Sequence, residues 1–198
     1  MQNSTTKVRA LTGTAMLGAV AAVLMYLEFP IPIMPAFVKL DVSELPALIA
    51  SFAYGPVSGV LVCLIKNLIK LPSTSTAAVG ELFNFVMGAI FVGVAGIVYK
   101  RNKTRKGAIV GALLGALVMA VVSVPYNYFI VYPAYVVMYH LPLEAIIGMY
   151  QAINPSVDGL LTCLLVFNLP FTFVKGVLDA VLCFLIYKPL SPILHGRK

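Results

Sequence analysis

Residues 29–46, FPIPIMPAFVKLDVSELP, interrupt a chain that otherwise consists of long apolar runs. The segment combines four prolines with three charged side chains: Pro30, Pro32, Pro35 and Pro46, and Lys39, Asp41 and Glu44. Proline lacks a backbone donor and disfavours the helical conformation in the residue before it, so this stretch should be extended. We expect a shaped cap between two long helices. Ser43 is then the predicted N-cap of the next helix, where the helix dipole favours Asp41 and Glu44.

The composition places the chain outside the range of soluble domains. Of its 198 residues, 61% are hydrophobic and only 11% are charged, and the apolar residues fall in blocks of about twenty, the length of a membrane span. We therefore predict an all-α membrane protein, a six-helix transmembrane bundle that forms a single domain over residues 1–198. The block at 10–27 is long enough to span and is expected to remain as the first span rather than to act as a cleaved signal peptide.

The positive charges lie in three places. Ten of the fourteen lysines and arginines form flanks without acidic residues: Lys7 and Arg9; Lys100, Arg101, Lys103, Arg105 and Lys106; and Lys188, Arg197 and Lys198. Basic flanks beside spans mark the cytoplasmic side of a membrane. The net charge of +7 therefore indicates basic flanks that contact the lipid bilayer rather than a surface that binds nucleic acid. Both termini are predicted to be cytoplasmic.

Apolar runs and turn signals predict the helices at 8–27, 43–53, 57–71, 77–99, 107–138 and 159–187. The second and third are shorter than a full span, and Pro125 is expected to interrupt the fifth. The polar loop at 72–76 and the loop at 139–158, with one short amphipathic turn, should lie outside with the proline-rich cap. No repeat relates the two halves, which weakens the interpretation as an inverted-repeat transporter.

Two lysines and three cysteines lie in the apolar runs, and the sequence does not require a functional role for them. Lys66 and Lys70 share one face near the outer end of the third predicted helix, and we expect both to extend to the membrane interface. The three cysteines, Cys63, Cys163 and Cys183, lack metal-ligand spacing and should be buried thiols, so no metal site is predicted.

Polar side chains recur on three of the predicted helices. Glu81 and Asn84 lie on the fourth and Asn127 on the fifth, while the sixth carries Asn168, Thr172, Lys175 and Asp179 within about 60° of one face. Such groups at membrane depth are costly and usually face a cavity. Nearby aromatic residues are Tyr126, Tyr128, Phe129, Phe167 and Phe171.

This combination predicts a binding cavity for a mostly uncharged ligand that has a flat ring and a hydrogen-bonding edge. The alternative is that these groups only bond across helices, with Lys175 paired to Asp179. An enzyme is not expected, because the sequence has no phosphate-binding loop, HExxH, GxSxG or paired-carboxylate motif. An ion-coupled secondary transporter that uses Glu81 or Asp179 as a carrier remains open.

Small residues repeat at helical spacing on the first predicted helix. Ala15 pairs with Ala19, and Gly18 pairs with Ala22, which makes part of the helix smooth enough for close helix packing. Packing within the chain and docking of a separate membrane subunit both fit this pattern.

Four stretches of the sequence resemble the riboflavin-specific S-component of energy-coupling factor (ECF) transporters. They are PAFVKLDVSELPALIASFAYGPVSGVLVCLIKNLIK at 35–70, GELFNFVMG at 80–88, YNYFIVYPAY at 126–135 and PFTFVKG at 170–176. The similarity covers nearly the whole chain. It implies a substrate-binding membrane subunit that takes up riboflavin together with a transmembrane coupling protein and two cytoplasmic ATPases. It leaves open whether FMN and related flavins, or another vitamin, are accepted.

The resemblance also implies a set of ligand-binding positions, with riboflavin as transported ligand and no cofactor. They are Leu40, Asp41 and Glu44 in the cap, Ala78, Val79 and Gly80, Asn127, and Thr172 with Lys175. The family motif PFNxxKG has Thr172 here in place of its asparagine, and a hydroxyl has one donor where an amide has two. Asn168, one turn earlier, is a second candidate for that contact. Ala15 and Ala19 correspond to the family's contact with the coupling protein.

Overall fold

The computed structural model describes residues 2–74, 76–140 and 142–195. Of the predicted basic C-terminus, Arg197 and Lys198 lie outside this range, as does Ser75 of the polar loop. The helices are α1 Gln2–Tyr26, α2 Glu44–Tyr54, α3 Pro56–Lys70, α4 Val79–Arg101, α5 Arg105–Tyr126, α6 Tyr132–Tyr139, α7 Leu143–Gln151, α8 Leu160–Cys163 and α9 Leu169–His195. A 3₁₀ turn, Leu71–Ser73, follows α3.

Five helical segments in the described part of the chain are long and apolar enough to cross a membrane. They correspond to α1, α3 with its 3₁₀ turn, α4, the run from α5 to α6, and the run from α8 to α9. The remaining predicted helix is α2, whose 11 residues rise only about 16 Å, roughly half of a bilayer core. The prediction of an all-α membrane bundle is confirmed, whereas the sidedness of the termini stays a prediction.

Pro125 does not interrupt the fifth predicted helix, contrary to expectation. The helix continues through it and widens into a π-helical turn, Asn127–Val131, before α6. A second π turn, Leu164–Asn168, joins α8 to α9. The backbone N–H groups of Tyr132 and Leu169 each donate to the carbonyl five residues earlier. These wider bonds replace α-helical ones and keep the backbone groups that make them paired inside the membrane.

Glycines bring α5 close to α4. A β-carbon added at Gly115 would lie 2.5 Å from the carbonyl oxygen of Phe91, and one at Gly111 would lie 2.7 Å from that of Ala95. Both distances are shorter than van der Waals contact, so only glycine permits this approach. The GxxxG spacing at the start of α5 therefore packs the two helices backbone to backbone.

The two small-residue pairs of α1 point in different directions. Gly18 and Ala22 are buried, and a β-carbon at Gly18 would lie 2.8 Å from the Ile65 side chain of α3. Ala15 and Ala19 are exposed on the outer surface of the bundle. The first pair thus packs within the chain, while the second pair remains accessible from the membrane.

The proline-rich segment contains a short antiparallel ladder that the sequence did not predict. Strand β1, Phe29–Pro30, pairs with β2, Lys39–Leu40. Ser43 is not a side-chain N-cap of α2, contrary to expectation. Instead Oδ1 of Asp41 accepts the backbone N–H of Ser43 at 2.8 Å and also the Ser43 hydroxyl. This local aspartate turn leads the chain into α2.

Candidate functional site

A cavity lies between the proline-rich segment and the helices α4, α5 and α9. Of the predicted ligand-binding residues, seven line it: Asp41, Glu44, Gly80, Asn127, Asn168, Thr172 and Lys175. Glu81, Asn84 and Asp179 line it as well. The polar groups that the sequence placed on three separate helices therefore meet in one space.

Three predicted ligand-binding residues do not line this cavity. Leu40 lines a neighbouring apolar groove together with Met34 and Phe171. Ala78 and Val79 stand at the start of α4, beside Gly80, without facing the cavity. Ala78 has a left-handed backbone with φ of 69°, a conformation that is costly for a residue with a β-carbon.

Lys175 joins α9 to the proline-rich segment and to α2. Its ammonium donates to Oδ2 of Asp41 at 2.8 Å and lies 3.1 Å from Oε2 of Glu44. The alternative pairing of Lys175 with Asp179 is wrong. Because α2 brings Glu44 against α9 and the aspartate turn brings Asp41 there, these carboxylates reach the ammonium although they lie far away in sequence.

Lys66 does not extend to the membrane interface. It is completely buried, and its ammonium donates to Oε1 of Glu44 at 2.6 Å and to the hydroxyl of Ser43 at 2.5 Å. Glu44 therefore receives one ammonium on each oxygen, from Lys66 on α3 and from Lys175 on α9. Buried charges of this kind are tolerated only when they are paired, as here.

The ion pairs also affect the carboxyl group of Asp41. Burial alone would raise its pKa, but the ammonium groups of Lys175 and Lys66 outweigh burial and hold the pKa well below its usual range. Asp41 thus stays ionised at neutral pH, and the link between the proline-rich segment and α9 stays charged on both sides.

A second, more exposed set of charges lies at the rim of the cavity. Glu28 pairs with Lys39 at 2.8 Å and with Lys70 at 3.0 Å. Lys70 also donates to the carbonyl of Met25 and lies over the ring of Tyr26, so it too is buried rather than extended to the interface. Partial burial opposes ionisation of Glu28, yet hydrogen bonds from the two lysines lower its pKa.

The two π turns each place one asparagine in the cavity wall. Asn127 begins the first turn, and its side-chain amide donates to the carbonyl of Ser123 at 2.8 Å. Asn168 ends the second turn and is buried. Wide turns of this type are frequent at functional sites, because they redirect side chains within an otherwise regular helix.

Asn168 belongs to a buried polar cluster with two tyrosines. The hydroxyls of Tyr132 and Tyr150 lie 2.5 Å apart, and Tyr150 donates to Oδ1 of Asn168 at 2.7 Å. Burial raises the pKa of Tyr150, which keeps its hydroxyl protonated as a donor. The ring of Phe37, from the proline-rich segment, packs edge-on against Tyr132, Tyr135 and Tyr150.

The aromatic walls differ from those expected. Phe171 lines the cavity as predicted, but Phe129 is 71% exposed and Tyr128 is 39% exposed on the outside of the bundle. Phe167 packs against Tyr150, and Tyr126 packs against Phe83. The cavity walls instead include Phe37, Phe83, Tyr132 and Tyr135. Phe37 lies in the proline-rich segment and the other three lie on the fourth and fifth predicted helices, and the hydrophobic pattern gave no signal that these residues share a site.

Glu81 has a structural role at the start of α4. Its Oε2 accepts the hydroxyls of Thr74 and Thr76 at 2.7 and 3.0 Å. Those hydroxyls in turn accept the backbone N–H groups of Ala78 and Gly80. The carboxylate therefore holds the polar loop in place, which removes much of the support for Glu81 as an ion carrier.

The three cysteines are free and buried, as predicted. Within the described part of the chain, no group of three or more His, Cys, Asp or Glu side chains is arranged to hold a metal ion.

Comparison with known proteins adds an independent line of evidence. The sequence model of the family described as "ECF transporter, substrate-specific component" matches residues 9–187. The chain is 34% identical to the riboflavin transporter FmnP of Bacillus subtilis over 97% of each chain. It is 32% identical to the riboflavin transporter RibU of Staphylococcus aureus over 91% of this chain and 89% of that protein.

A solved structure of the S component of a bacterial ECF transporter has a similar fold. The TM-score is 0.74 at 31% sequence identity, and the match covers 98% of this chain and 99% of the other. Together with a family match that spans nearly all of the helical bundle, this similarity leads to one conclusion: the chain belongs to the substrate-specific components of ECF transporters.

Proposed function

We propose that this chain binds riboflavin in the cavity described above and takes it up through the membrane with the help of an ATP-driven ECF module. One observation carries the proposal: amide, hydroxyl and ammonium groups from the two π turns and α9 converge in a single cavity beneath the proline-rich segment. The identity of the substrate is inferred from the relatives that are named as riboflavin transporters.

The lining of the cavity fits the two chemical parts of the vitamin. Apolar side chains such as Phe83, Met87, Met119 and Phe171 line it and suit the flat ring system. Asn127 and Thr172 offer hydrogen bonds to the polar edge of the ring. The charged rim with Glu28 and Lys39 is suited to the hydroxyl groups of the ribityl chain.

Lys175 has a double role in this proposal. An ammonium group has three donors, of which one is directed to Asp41 and a second faces Glu44. The third is available to a carbonyl oxygen of the ring. The two carboxylates keep the ammonium charged and fix its position, so we assign Asp41 and Glu44 to holding Lys175 rather than to direct ligand contact.

Asn168 is a less direct candidate than Thr172 for the contact made by the family's asparagine. Its carbonyl oxygen already accepts from Tyr150, so it has less capacity for a ligand. We therefore assign the contact on α9 to Thr172, while Asn168 holds the tyrosines in place.

The exposed pair Ala15 and Ala19 is the proposed docking site for the transmembrane coupling protein. Both side chains are accessible on α1, and their small size permits the close approach of another helix. The coupling protein and two cytoplasmic ATPases would supply the energy, since this chain contains no phosphate-binding loop.

Quenching of flavin fluorescence by the purified protein tests the binding proposal. Asn127→Ala and Lys175→Ala should each weaken riboflavin binding roughly 5- to 150-fold, the loss expected for about 1–3 kcal/mol per buried polar contact. Asn102→Ala, which removes an exposed amide from the loop between α4 and α5, is the matched control and should bind normally.

Competition with thiamine and with a pteridine tests the substrate. Neither should displace riboflavin at equal concentration. Absence of riboflavin binding, or equal effects of Asn127→Ala and Asn102→Ala, would contradict the proposed site. Uptake into liposomes by the chain alone, with an ion gradient and without ATP, would instead support the ion-coupled alternative.

A further inference from the structure

Asp179 is a buried acid that the proposed binding function does not use. It lies on α9, one turn after Lys175, and its side chain is completely buried at the wall of the cavity. Neither of its carboxylate oxygens has a hydrogen-bond partner among the described residues. A buried charge without a partner is among the most costly arrangements in a protein.

The surroundings of Asp179 contain two acidic and two basic groups. The charged groups that act on it are Asp41 of the proline-rich segment, Glu44 of α2, Lys66 of α3 and Lys175 of α9. The buried thiols of Cys63 and Cys183 lie close enough to interact with it electrostatically. On the α5 side, the neighbouring Gly176 packs against the apolar Ala116 and Met119.

The charges in this cluster do not balance. Asp41, Glu44 and Asp179 contribute three carboxylates, whereas Lys66 and Lys175 contribute two ammonium groups. Both ammonium groups are already paired, with Asp41 and Glu44. One carboxylate is therefore left over, and its two oxygens without hydrogen-bond donors identify it as Asp179. Oε2 of Glu44 also lacks a hydrogen bond, but it lies 3.1 Å from the ammonium of Lys175.

We propose that the inner end of the cavity binds one unit of positive charge at Asp179, either a proton or an alkali cation. Only one carboxylate is left unpaired, and no group of three or more His, Cys, Asp or Glu side chains among the described residues is arranged to hold a metal ion, so a singly charged occupant balances the site better than a divalent one. The site is separate from the riboflavin contacts and is occupied whether or not the vitamin is bound.

Occupation of this site has a consequence for Lys175. With the charge of Asp179 neutralised, the ammonium of Lys175 stays with Asp41 and Glu44, where it holds the proline-rich segment against α9. Without the positive charge bound at Asp179, three carboxylates would compete for the ammonium group of Lys175. The bound charge is thus expected to stabilise the arrangement that forms the cavity.

The test uses vitamin-free protein in lipid nanodiscs, so it does not depend on the proposed substrate. Thermal unfolding of the wild type, Asp179→Asn and the control Asp158→Asn is measured over a pH series, with sodium or choline at constant ionic strength. Asp158 is an exposed acid in the loop before α8. In the first variant, the isosteric asparagine side chain keeps the shape of the site and removes its charge.

A proton at Asp179 predicts that the wild type loses stability as pH rises, because the folded state then holds a proton that the unfolded state releases. The folding equilibrium changes by up to tenfold per pH unit for one such site. If the occupant is an alkali cation, sodium should instead stabilise the protein relative to choline. At a sodium concentration a hundred times the dissociation constant, the folding equilibrium should shift by about 100-fold. Asp179→Asn should abolish the response, and Asp158→Asn should retain it.

Equal responses of the wild type and Asp179→Asn to both pH and sodium would overturn the proposal. If Asp179→Asn does not fold, infrared spectroscopy of the wild type provides the test. A protonated carboxyl group is detected by its carbonyl stretch and by the shift of that band in heavy water. Absence of that band together with an absence of any sodium dependence would equally overturn it.

Discussion

Replacing Lys66 by methionine removes an ammonium group from the centre of the bundle and leaves its hydrocarbon volume nearly unchanged. Oε1 of Glu44 and the hydroxyl of Ser43 then lose their shared donor. Glu44 retains only the ion pair with Lys175 at 3.1 Å. The change therefore leaves half of a charge pair in a site that is almost fully buried.

The expected loss of stability follows from this burial. Lys66 is 0% exposed and the Glu44 side chain 4% exposed, and removal of one partner from a fully buried pair costs about 3–5 kcal/mol. For a chain of this length, each 1 kcal/mol lowers the melting temperature by about 2–4 °C. We therefore expect Lys66→Met to melt roughly 6–20 °C below the wild type.

Two further variants separate charge from packing. Lys70→Met removes a lysine whose partner Glu28 is 25% exposed, so solvent can replace part of the lost ion pair and the loss of stability should be smaller than in Lys66→Met. The double variant Lys66→Met with Glu44→Gln removes both charges of the buried pair, and it should recover part of the stability lost in Lys66→Met. The assay is thermal unfolding of purified protein in nanodiscs, with riboflavin binding measured in parallel.

One result would refute this reasoning. If Lys66→Met and Lys70→Met lower the melting temperature equally, Lys66 is solvated in the folded protein and does not hold Glu44. Failure of the double variant to recover any stability would show that the loss came from packing rather than from an unpaired carboxylate.

Three other predictions use different parts of the molecule. Ala15→Leu should abolish uptake in cells that contain the ATPase module and should leave riboflavin binding and the melting temperature unchanged. Gly18→Leu, in contrast, should lower the melting temperature because Ile65 occupies the space of the new side chain. The lowered pKa of Asp41 means that its carboxylate contributes stability that is complete above its ordinary pKa of 3.8 and is lost as pH falls below it. The difference between the wild type and Asp41→Asn in melting temperature and in riboflavin binding, with Asp179 unchanged in both proteins, should thus be flat from about pH 8 to 5 and decline in more acidic solution. Ala78→Gly relieves the positive φ of that residue and should raise the melting temperature by roughly 2–4 °C, for a gain of about 1 kcal/mol, with riboflavin binding as the control.

The sequence predicted the helices and most of the polar cavity lining because both depend on local patterns. Apolar runs of membrane length and the spacing of Asn168, Thr172, Lys175 and Asp179 are visible in a single segment, and all four side chains do line one cavity. The resemblance to the S-component family added positions that no spacing reveals, including Gly80 of α4.

Partners that lie far apart along the chain could not be predicted in this way. Lys66 was expected at the membrane interface because nothing near it in sequence indicates Glu44 or Ser43 as its partners. The same reason explains the wrong pairing of Lys175, whose nearest acid on its own helix is Asp179. Phe37 and Tyr150 were overlooked because they lie far apart along the chain, in the proline-rich segment and in α7, and only the fold brings their rings together.

The π turns each accommodate one extra residue without turning the rest of the helix. Each turn holds one residue more than an α turn, whereas an extra residue in a regular α-helix would rotate everything beyond it by about 100° around the axis. Deleting a residue within Asn127–Val131 and converting that turn to α geometry would therefore move the side chains of the turn itself, including Asn127, and leave the two halves of the helix facing as before. The glycine contacts of α5 with α4 lie before the turn, so a part of the cavity wall can be changed by a single insertion or deletion while the scaffold keeps its register. New ligand specificities in bundles of this type are therefore accessible through changes of chain length as well as through changes of side chain.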